Sequence, residues 1–551
     1  MMKKVAIILV FVSCLSLLAL ANEPSVIRIT PPAPKFTDAE RQSELSRRRN
    51  AVLAEMLPNS MLIMWSATPR NYAGDVDFMY RQENNHYYLS NLRQNGSALV
   101  LVKNGSATKE YLFLPKRNPA QETWNGKMYS NEDATRISGI KTVIDADLFG
   151  NFLQTVKDKK TFTAGGVTIT NSTIKNLYLL LPDSEFDSEG MAEFAKEFEF
   201  SATLIIPPPV KTPAKTPAKT GKSAKKPKVK PASEMPKTVY EIQNARPIFD
   251  ELRLVKSPFE IKLLQHAIDI TTEAQMRSMG MIGRAKWEYE VHAEVDYTFR
   301  RRNADYWGYP SIVGCGANAT TLHYVESQGE VKQGDLMLMD VGAEYDHYTA
   351  DVTRTFPVNG KFTKEQAEIY QIVYDAQEAA AKTIKPGSTF AEASQAAEEV
   401  IRDGLFRLGL TTDKNSGQHR LWFMHGWGHW LGMNVHDVGN YGTPFKPGMV
   451  MTNEPGIYIR PDALDYFPDT PANREFIAKI RPVFERYKGI GVRIEDDMLV
   501  TENGVEWMTK NLPREINQVQ AFMEKAAKEM QFAQFQITNY DLRRTKALVV
   551  H

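Results

Sequence analysis

Apolar residues recur along this chain in two rhythms, short continuous runs and helical spacings, and one long stretch has neither. Between residues 36 and 206, runs such as 97–102 (SALVLV) and 111–114 (YLFL) alternate with helical patterns such as 191–198. That mixture predicts an α/β domain. From 207 to 237 the sequence becomes PPPVKTPAKTPAKTGKSAKKPKVKPASEMPK. Almost no large apolar side chain is present there, so burial cannot offset the entropy of ordering, and an extended, solvated insert is expected. A plain tether accounts for its lysines, with an acidic surface as the alternative partner.

Order resumes at Leu252. Ser257, Pro258 and Glu260 supply an N-cap, a proline in the first turn and a capping-box acid ahead of apolar Ile261, Leu264 and Ile268, so a long helix is predicted. Residues 335–341 (DLMLMDV) read as a buried strand, and Thr363 with Gln366 caps a helix that Pro386 and Gly387 stop. Segments 449–452 and 492–494 read as further strands. A second domain, α+β in class, is therefore expected over 252–509, with 510–551 as a C-terminal cap and tail that includes a helical stretch at 514–528. No internal repeat is visible in the sequence.

A chain of 551 residues exceeds what one core serves, since single cores stop growing at roughly 250 to 300 residues. The hydrophobic share of 42% and charged share of 24% are those of an ordinary soluble protein, and a formal charge of +1 argues against a nucleic-acid binder. At the N-terminus, Lys3 and Lys4 precede an apolar run ending in Ala19, Leu20 and Ala21. This is the pattern of a signal peptide over 1–21, cut after Ala21, and predicts export to the periplasm or beyond the cell. An uncleaved anchor helix and a lipidated Cys14 are the alternatives. With the leader removed only Cys315 remains, so no internal disulfide forms, and no later stretch is apolar enough for membrane insertion.

Five side chains of the second domain stand out: Asp340, Asp351, His429, Glu454 and Glu495. Asp340 closes an apolar strand and Asp351 follows the turn-rich segment GAEYDHYTA, so a hairpin would bring the two carboxylates face to face. Like charges at that spacing drive one pKa upward unless a cation lies between them. Glu454 follows a strand in TNEPG, and Glu495 in GVRIEDD shares a strand face with Arg493 by the period of two. Four carboxylates converging with one neutral imidazole carry charge for two divalent cations, which at about 3.5 to 4 Å apart share and acidify a bridging water. Oxygen-dominated ligands favour manganese, followed by cobalt, iron or zinc.

In order and spacing, LMDVGAEYDHYTADVTRTFPVNGKFT, FMHGWGHWLGMNVHDVG, VMTNEPGIYI and YKGIGVRIEDDMLVT resemble the catalytic motifs of the pita-bread metallopeptidases, most closely aminopeptidase P. RLVKSPFEIKLL, GCGANATTLHY and MYRQENNHYYLSNL extend the resemblance upstream, to about 36–525. It implies a pita-bread catalytic domain behind an α/β creatinase-like N-terminal domain. It also implies hydrolysis of the N-terminal Xaa-Pro bond by a hydroxide bridging two divalent metals. On the same ground Asp340 binds one metal, Asp351 and Glu495 bridge both, His429 holds the other, and Glu454 ligates and shuttles the proton. His323, His425 and His436 are expected to position substrate and stabilise the oxyanion, and Tyr458 and Arg493 to line the site. Homodimers or homotetramers are implied as well.

Prolidase, the Xaa-Pro dipeptidase, shares these five ligands and a similar HGxGHxLGxxVHD pattern, and remains the alternative. A pita-bread module that has lost its metals and only binds is the reading from another class; the presence of all five ligands speaks against it.

Overall fold

The computed structural model describes residues 25–182, 192–206 and 237–531. The predicted leader over 1–21 with Cys14, the insert over 207–236 and residues 532–551 lie outside the described residues. Two compact units emerge: Lys35–Leu252 is one, and the chain from Arg253 onward, joined by the residues before Lys35, is the other.

In the first unit a six-stranded sheet runs in the order Glu241–Asn244, Asn176–Leu179, Ser60–Trp65, Ala98–Asn104, Ala107–Leu114, Val143–Asp145. The two apolar runs legible in the sequence pair as an antiparallel hairpin, Ala98 opposite Phe113, closed at Gly105 with φ 62° as a two-residue turn requires. Leu99, Val100, Leu101, Leu112 and Phe113 are all buried, because both sheet faces are covered. Of the helix expected at 191–198, residues 192–193 are helical, and after a turn at Phe194 the helix Ala195–Ala202 runs past the expected end.

The first unit also continues past the insert. Glu241–Asn244 (EIQN) adds a parallel edge strand against Asn176–Leu179, a role its polar sequence does not announce. The insert therefore interrupts this unit rather than separating it from the next.

The second unit starts as its caps dictate. Ser257 accepts from Glu260 N, Glu260 returns the bond to Ser257 N, and Pro258 occupies the first turn of the helix Pro258–Met281. Thr363 and Gln366 form the same box at Lys364–Thr383, which ends before Pro386. Two similar halves follow from these helices. The first packs Pro258–Met281 and Glu288–Arg301 on the antiparallel strands Ile312–Cys315, Leu336–Val341 and Val352–Pro357. The second pairs Lys364–Thr383 with Phe390–Leu408 beside Val450–Asn453, Asp496–Thr501 and Gly504–Trp507. The expected strand near 492–494 is Gly491–Arg493, paired with Gly456–Tyr458.

Each long helix carries a buried glutamine aimed at its strands. Gln275 Nε2 donates to Met339 O at 3.0 Å and Val352 O at 2.8 Å. Gln377 Nε2 donates to Asn453 O at 3.0 Å and Ile494 O at 3.1 Å. All four carbonyls belong to residues adjacent in sequence to Asp340, Asp351, Glu454 or Glu495. The likeness of the halves leaves no visible repeat in the sequence, because geometry and these anchor points are what they share.

A C-terminal helix over 516–531 buries Val519, Met523 and Ala526 in the first half's core. Residues 25–34 pack there too, with Thr30 N donating to Glu273 Oε2 at 2.8 Å. Among the described residues no helix is long and apolar enough to cross a membrane.

Arg354 joins the two halves. It is buried and donates to Thr353 O at 2.8 Å, Glu495 O at 2.7 Å and Asp496 Oδ1 at 2.6 Å. Arg354→Ala is expected to cost about 3 to 5 kcal/mol, the penalty for stranding one member of a buried pair. A urea midpoint shifted by under about 1 kcal/mol in equivalent stability at constant slope would show that the pair is dispensable.

Candidate metal centre

The two halves deliver their carboxylates to one place. Asp340 sits near the end of Leu336–Val341, opposite Thr353, and Asp351 immediately precedes Val352–Pro357. The hairpin expected between them is more elaborate. Residues 342–351 leave the sheet to pair Ala343–Tyr345 with Tyr348–Thr349 through a turn at Asp346 and His347, whose φ values are 51° and 68°. Glu454 follows Val450–Asn453, and Glu495 occupies the break between Gly491–Arg493 and Asp496–Thr501.

His429 arrives on a glycine-rich loop laid against a strand. Its N–H donates to Thr452 Oγ1 at 3.0 Å and its carbonyl accepts from Thr452 N at 2.9 Å. A Cβ on Gly428 would stand 2.4 Å from Thr452 O, so no larger residue permits this approach. His429 Nδ1 lies 3.1 Å from Trp430 O; with the proton there, Nε2 keeps its lone pair for the centre.

Ligand atoms of Asp351, His429 and Glu495 lie within 4.8 Å of one another. His429 Nε2 is 3.3 Å from Asp351 Oδ2 and 3.4 Å from Glu454 Oε1. Asp340 joins through Tyr309, whose hydroxyl is 2.5 Å from Asp340 Oδ1 and 2.5 Å from Asp351 Oδ1. Burial and the two carboxylates push the Tyr309 phenol well above its ordinary pKa, so it keeps its proton and serves as a donor.

Electrostatics test whether cations fit. Burial, with Asp340 adding to it, raises the Asp351 pKa, and burial with Asp351, Glu454 and Asp340 raises that of Glu495 well above the carboxylate range. Glu454 is pushed up to about 8, by burial first and then by Asp351, although His429 opposes the rise. Burial lowers the pKa of His429, yet Asp351 and Glu454 outweigh it and carry the imidazole to about 9. A fifth carboxyl, Asp497, is buried, accepts from Asp351 N at 3.2 Å and leaves Oδ1 without a partner. Without cations the cluster holds protons instead; hard oxygen donors with one imidazole and an excess of negative charge suit divalent metal ions.

A cavity of about 630 Å3 has a lining that includes Asp340, Asp351, His429, Glu454 and Glu495. His323, His425, His436 and Arg493 also line it. Tyr458 does not. It is buried behind His425, with its hydroxyl 2.9 Å from His425 Nε2 and accepting from Arg493 Nη1 at 2.6 Å. Expected to line the site, it stands instead one layer back, as a brace behind a cavity histidine. Arg493 forms its ion pair with Asp340 rather than with its neighbour Glu495, donating from Nη2 to Asp340 Oδ2 at 2.5 Å. Burial, followed by the Arg493 charge, lowers the His425 pKa to about 3, and burial followed by His429 lowers that of His436 to about 4, so both are neutral near pH 7.

Sequence reasoning passed over Tyr309 and Thr353. The first lies upstream of every quoted catalytic motif. Thr353 lies inside one, but a strand threonine carries no sign that its Oγ1 donates to Glu495 Oε2 at 2.6 Å.

Comparison with known proteins agrees with this geometry. Residues 262–502 match the model of metallopeptidase family M24, and 45–163 that of the aminopeptidase P N-terminal domain. The Xaa-Pro aminopeptidase of Haemophilus influenzae is 34% identical over 88% of this chain and 97% of that protein. That of Escherichia coli is 32% identical over 90% and 100%. Among solved structures, aminopeptidase PepP of Pseudomonas aeruginosa superposes with a TM-score of 0.70 at 32% identity, covering 88% of this chain and 99% of that one. The Escherichia coli aminopeptidase P solved with the inhibitor Pro-Leu gives 0.71 at 30%, over 90% and 100%.

Two measurements probe the centre. Thr353→Val removes the donor to Glu495 and is expected to weaken metal binding about 10- to 100-fold, read by titration against a chelator; unchanged affinity would make the contact incidental. The second concerns pH. Glu454 at about 8 and His429 at about 9 bind protons more tightly folded than unfolded. Their contribution to the metal-stripped protein is therefore complete below their ordinary values and lost as pH rises through 8 and 9. The gap in thermal midpoint between loaded and stripped protein should widen from about pH 5 to about pH 9; a flat gap would contradict the charge argument.

Proposed function

We infer, for a chain that belongs to metallopeptidase family M24 and within it to the aminopeptidase P group, that it releases the N-terminal residue from peptides with proline second. It is a metal-dependent exopeptidase. The observation that carries this reading is the convergence of four carboxylates and one imidazole on a cavity large enough for a short peptide, in a chain that spans almost the full length of Xaa-Pro aminopeptidases.

For the individual residues we propose the following division. Asp340, Asp351, His429, Glu454 and Glu495 would hold two divalent ions, manganese first because five of the nearest donor groups are hard or intermediate. Such ions would supply Lewis acidity to the scissile carbonyl and lower the pKa of water. Glu454 takes the proton from the attacking water and passes it to the departing proline nitrogen. His323 and His436 line the cavity where the carbonyl oxygen would gather charge, and the neutral His425, held through Nε2 by Tyr458 and through Nδ1 by Gly426 O, forms the wall beside them. Arg493 neutralises Asp340, and Tyr458 relays that anchorage to His425.

Proline preference has a physical basis in such a cavity. The imide lacks an N–H and its φ is fixed, so apolar Ile312, Leu322 and Val325, which line the cavity, demand no donor from the substrate. We further propose export of the chain, cleavage after Ala21, and assembly as a homodimer or homotetramer.

The metal-stripped protein should be inactive and regain cleavage of Arg-Pro-Pro with added manganese. Asp351→Asn is expected to lose about 10²- to 10³-fold or more in activity, as when a transition-state electrostatic partner is removed. Turnover restricted to the dipeptide Gly-Pro would move the assignment to prolidase. Cleavage of Leu-Gly-Gly at an equal rate would remove the proline preference, and no turnover with any divalent ion would leave a binding module.

A further inference from the structure

Residues 316–330 form the stretch of cavity wall that bears His323. After a short turn at Gly316–Thr320 they contain no strand until Glu330 bridges to Trp287. Leu322, His323 and Val325 face the cavity, and His323 and Val325 are exposed. Apolar anchorage is slight: Ala319 is buried, while Leu322 and Tyr324 are half-buried. A loop of this kind is mobile unless its polar groups fix it.

One carboxylate does so. Glu288, the first residue of the helix Glu288–Arg301, is 0% exposed. Its Oε1 accepts from Cys315 N at 2.6 Å and Asn318 Nδ2 at 3.0 Å; its Oε2 accepts from Tyr324 OH at 2.8 Å and Gly329 N at 2.6 Å. These donors mark the entry, the turn, the residue after His323 and the exit of the loop. The backbone repeats the last link, Glu288 N donating to Gly329 O at 3.0 Å. One helical turn later, His292 Nδ1 lies 3.0 Å from Ser327 Oγ, on the same helix face.

The packing leaves no slack. A Cβ on Gly329 would stand 2.4 Å from Asn318 Nδ2 and 2.7 Å from Glu288 Oε1. No lysine or arginine pairs with Glu288 among the described residues, so its burial is compensated by neutral donors alone, three of them in this loop and one, Cys315 N, at the end of the strand that leads into it. Glu288 is absent from the cavity lining.

We propose that Glu288 is a positioning residue for Xaa-Pro cleavage: its carboxylate fixes loop 316–330 so that His323 meets the substrate, without itself touching substrate or metal. This rests on reading His323 as a substrate contact. A buried acid that served stability alone would have no reason to collect donors from both flanks of one cavity residue.

The test uses the full-length protein, with Glu288→Gln and the milder Tyr324→Phe, each alone and combined with His323→Ala. Glu288→Gln is expected to lower kcat/KM about 10- to 100-fold at unchanged metal content. In the His323→Ala background the same change should cost no more than about twofold, because both act through one side chain. In metal-stripped protein, hydrogen exchange across 316–330 should quicken about tenfold while 336–341 stays as in the wild type. Tyr324→Phe should follow the same pattern to a smaller degree, so a poorly folding Glu288→Gln does not end the test. Losses that multiply in the double variants, unchanged loop exchange, or metal loss in step with activity would overturn the proposal. Full activity of His323→Ala would overturn the reading of His323 and the proposal with it; the loop exchange, which needs no substrate, tells these two failures apart.

Discussion

Four carboxylates drawn into one buried place repel one another, and the architecture of the second unit answers that repulsion. Two like charges at 4 Å cost about 4 kcal/mol in a medium of effective dielectric about 20, a large part of the roughly 5 to 15 kcal/mol that holds a domain together. The chain's own answer is incomplete. Arg493 pairs with Asp340, Tyr309 offers one proton between Asp340 and Asp351, Thr353 gives one to Glu495, and His429 faces Asp351 and Glu454. One guanidinium and one imidazole do not balance Asp340, Asp351, Glu454, Glu495 and the adjacent Asp497. The deficit is what divalent cations fill, so the chemistry and the stability of this unit rest on the same charges.

Convergence on that scale demands that strands from distant parts of the chain be held to a fraction of an ångström. The two halves share the task in the same way. Gln275 reaches from one long helix to the carbonyls beside Asp340 and Asp351, and Gln377 reaches from the other to those beside Glu454 and Glu495. Arg354 then ties the halves together through Glu495 O and Asp496. A buried side-chain amide that donates to two strands loses a bond, and leaves a buried carbonyl unpaired, if either strand slips, which makes register costly to violate.

How far this was legible in the sequence depends on the range of the interaction. Ser257 with Glu260 and Thr363 with Gln366 are local signals, three residues apart, and each predicted helix start is where it was read. The apolar strands at 97–102, 111–114 and 335–341 were legible because both of their faces are buried. Glu241–Asn244 was not, because an edge strand takes its place from its neighbour rather than from its own side chains. At the site, Asp340, Asp351, His429, Glu454 and Glu495 were singled out by residue type and motif, and the fold brings them together. Tyr309, Thr353 and Arg354 were missed, since a hydroxyl or guanidinium reveals its partner only when strands far apart in sequence meet. Tyr458 and Arg493 were chosen, but their orientation was not readable: one stands behind His425, and the other pairs with Asp340 rather than with Glu495.

Beyond the centre, buried carboxylates recur as anchors for the loops that wall the cavity. Asp437 closes the loop that carries His429 and His436. Its N–H donates to Trp430 O at 2.9 Å, its carboxylate takes Arg253 Nη2 at 2.6 Å and lies 3.4 Å from Lys256 Nζ. Burial alone would raise its pKa, but Arg253 and Lys256 hold it below the usual carboxylate range. A Cβ on Gly432 would stand 2.1 Å from Asp437 Oδ2, a tighter fit than the 2.7 Å that Gly329 makes against Glu288. One loop is thus pinned by ionic partners and the other by neutral donors, and each presents a histidine to the same space. Walls fixed before the substrate arrives spare the ordering cost that mobile loops incur on binding. A proline substrate offers the complementary economy, because its φ is set in advance. Rigid walls around a rigid residue would leave few degrees of freedom between a bound peptide and the geometry proposed for His323, His436 and Glu454.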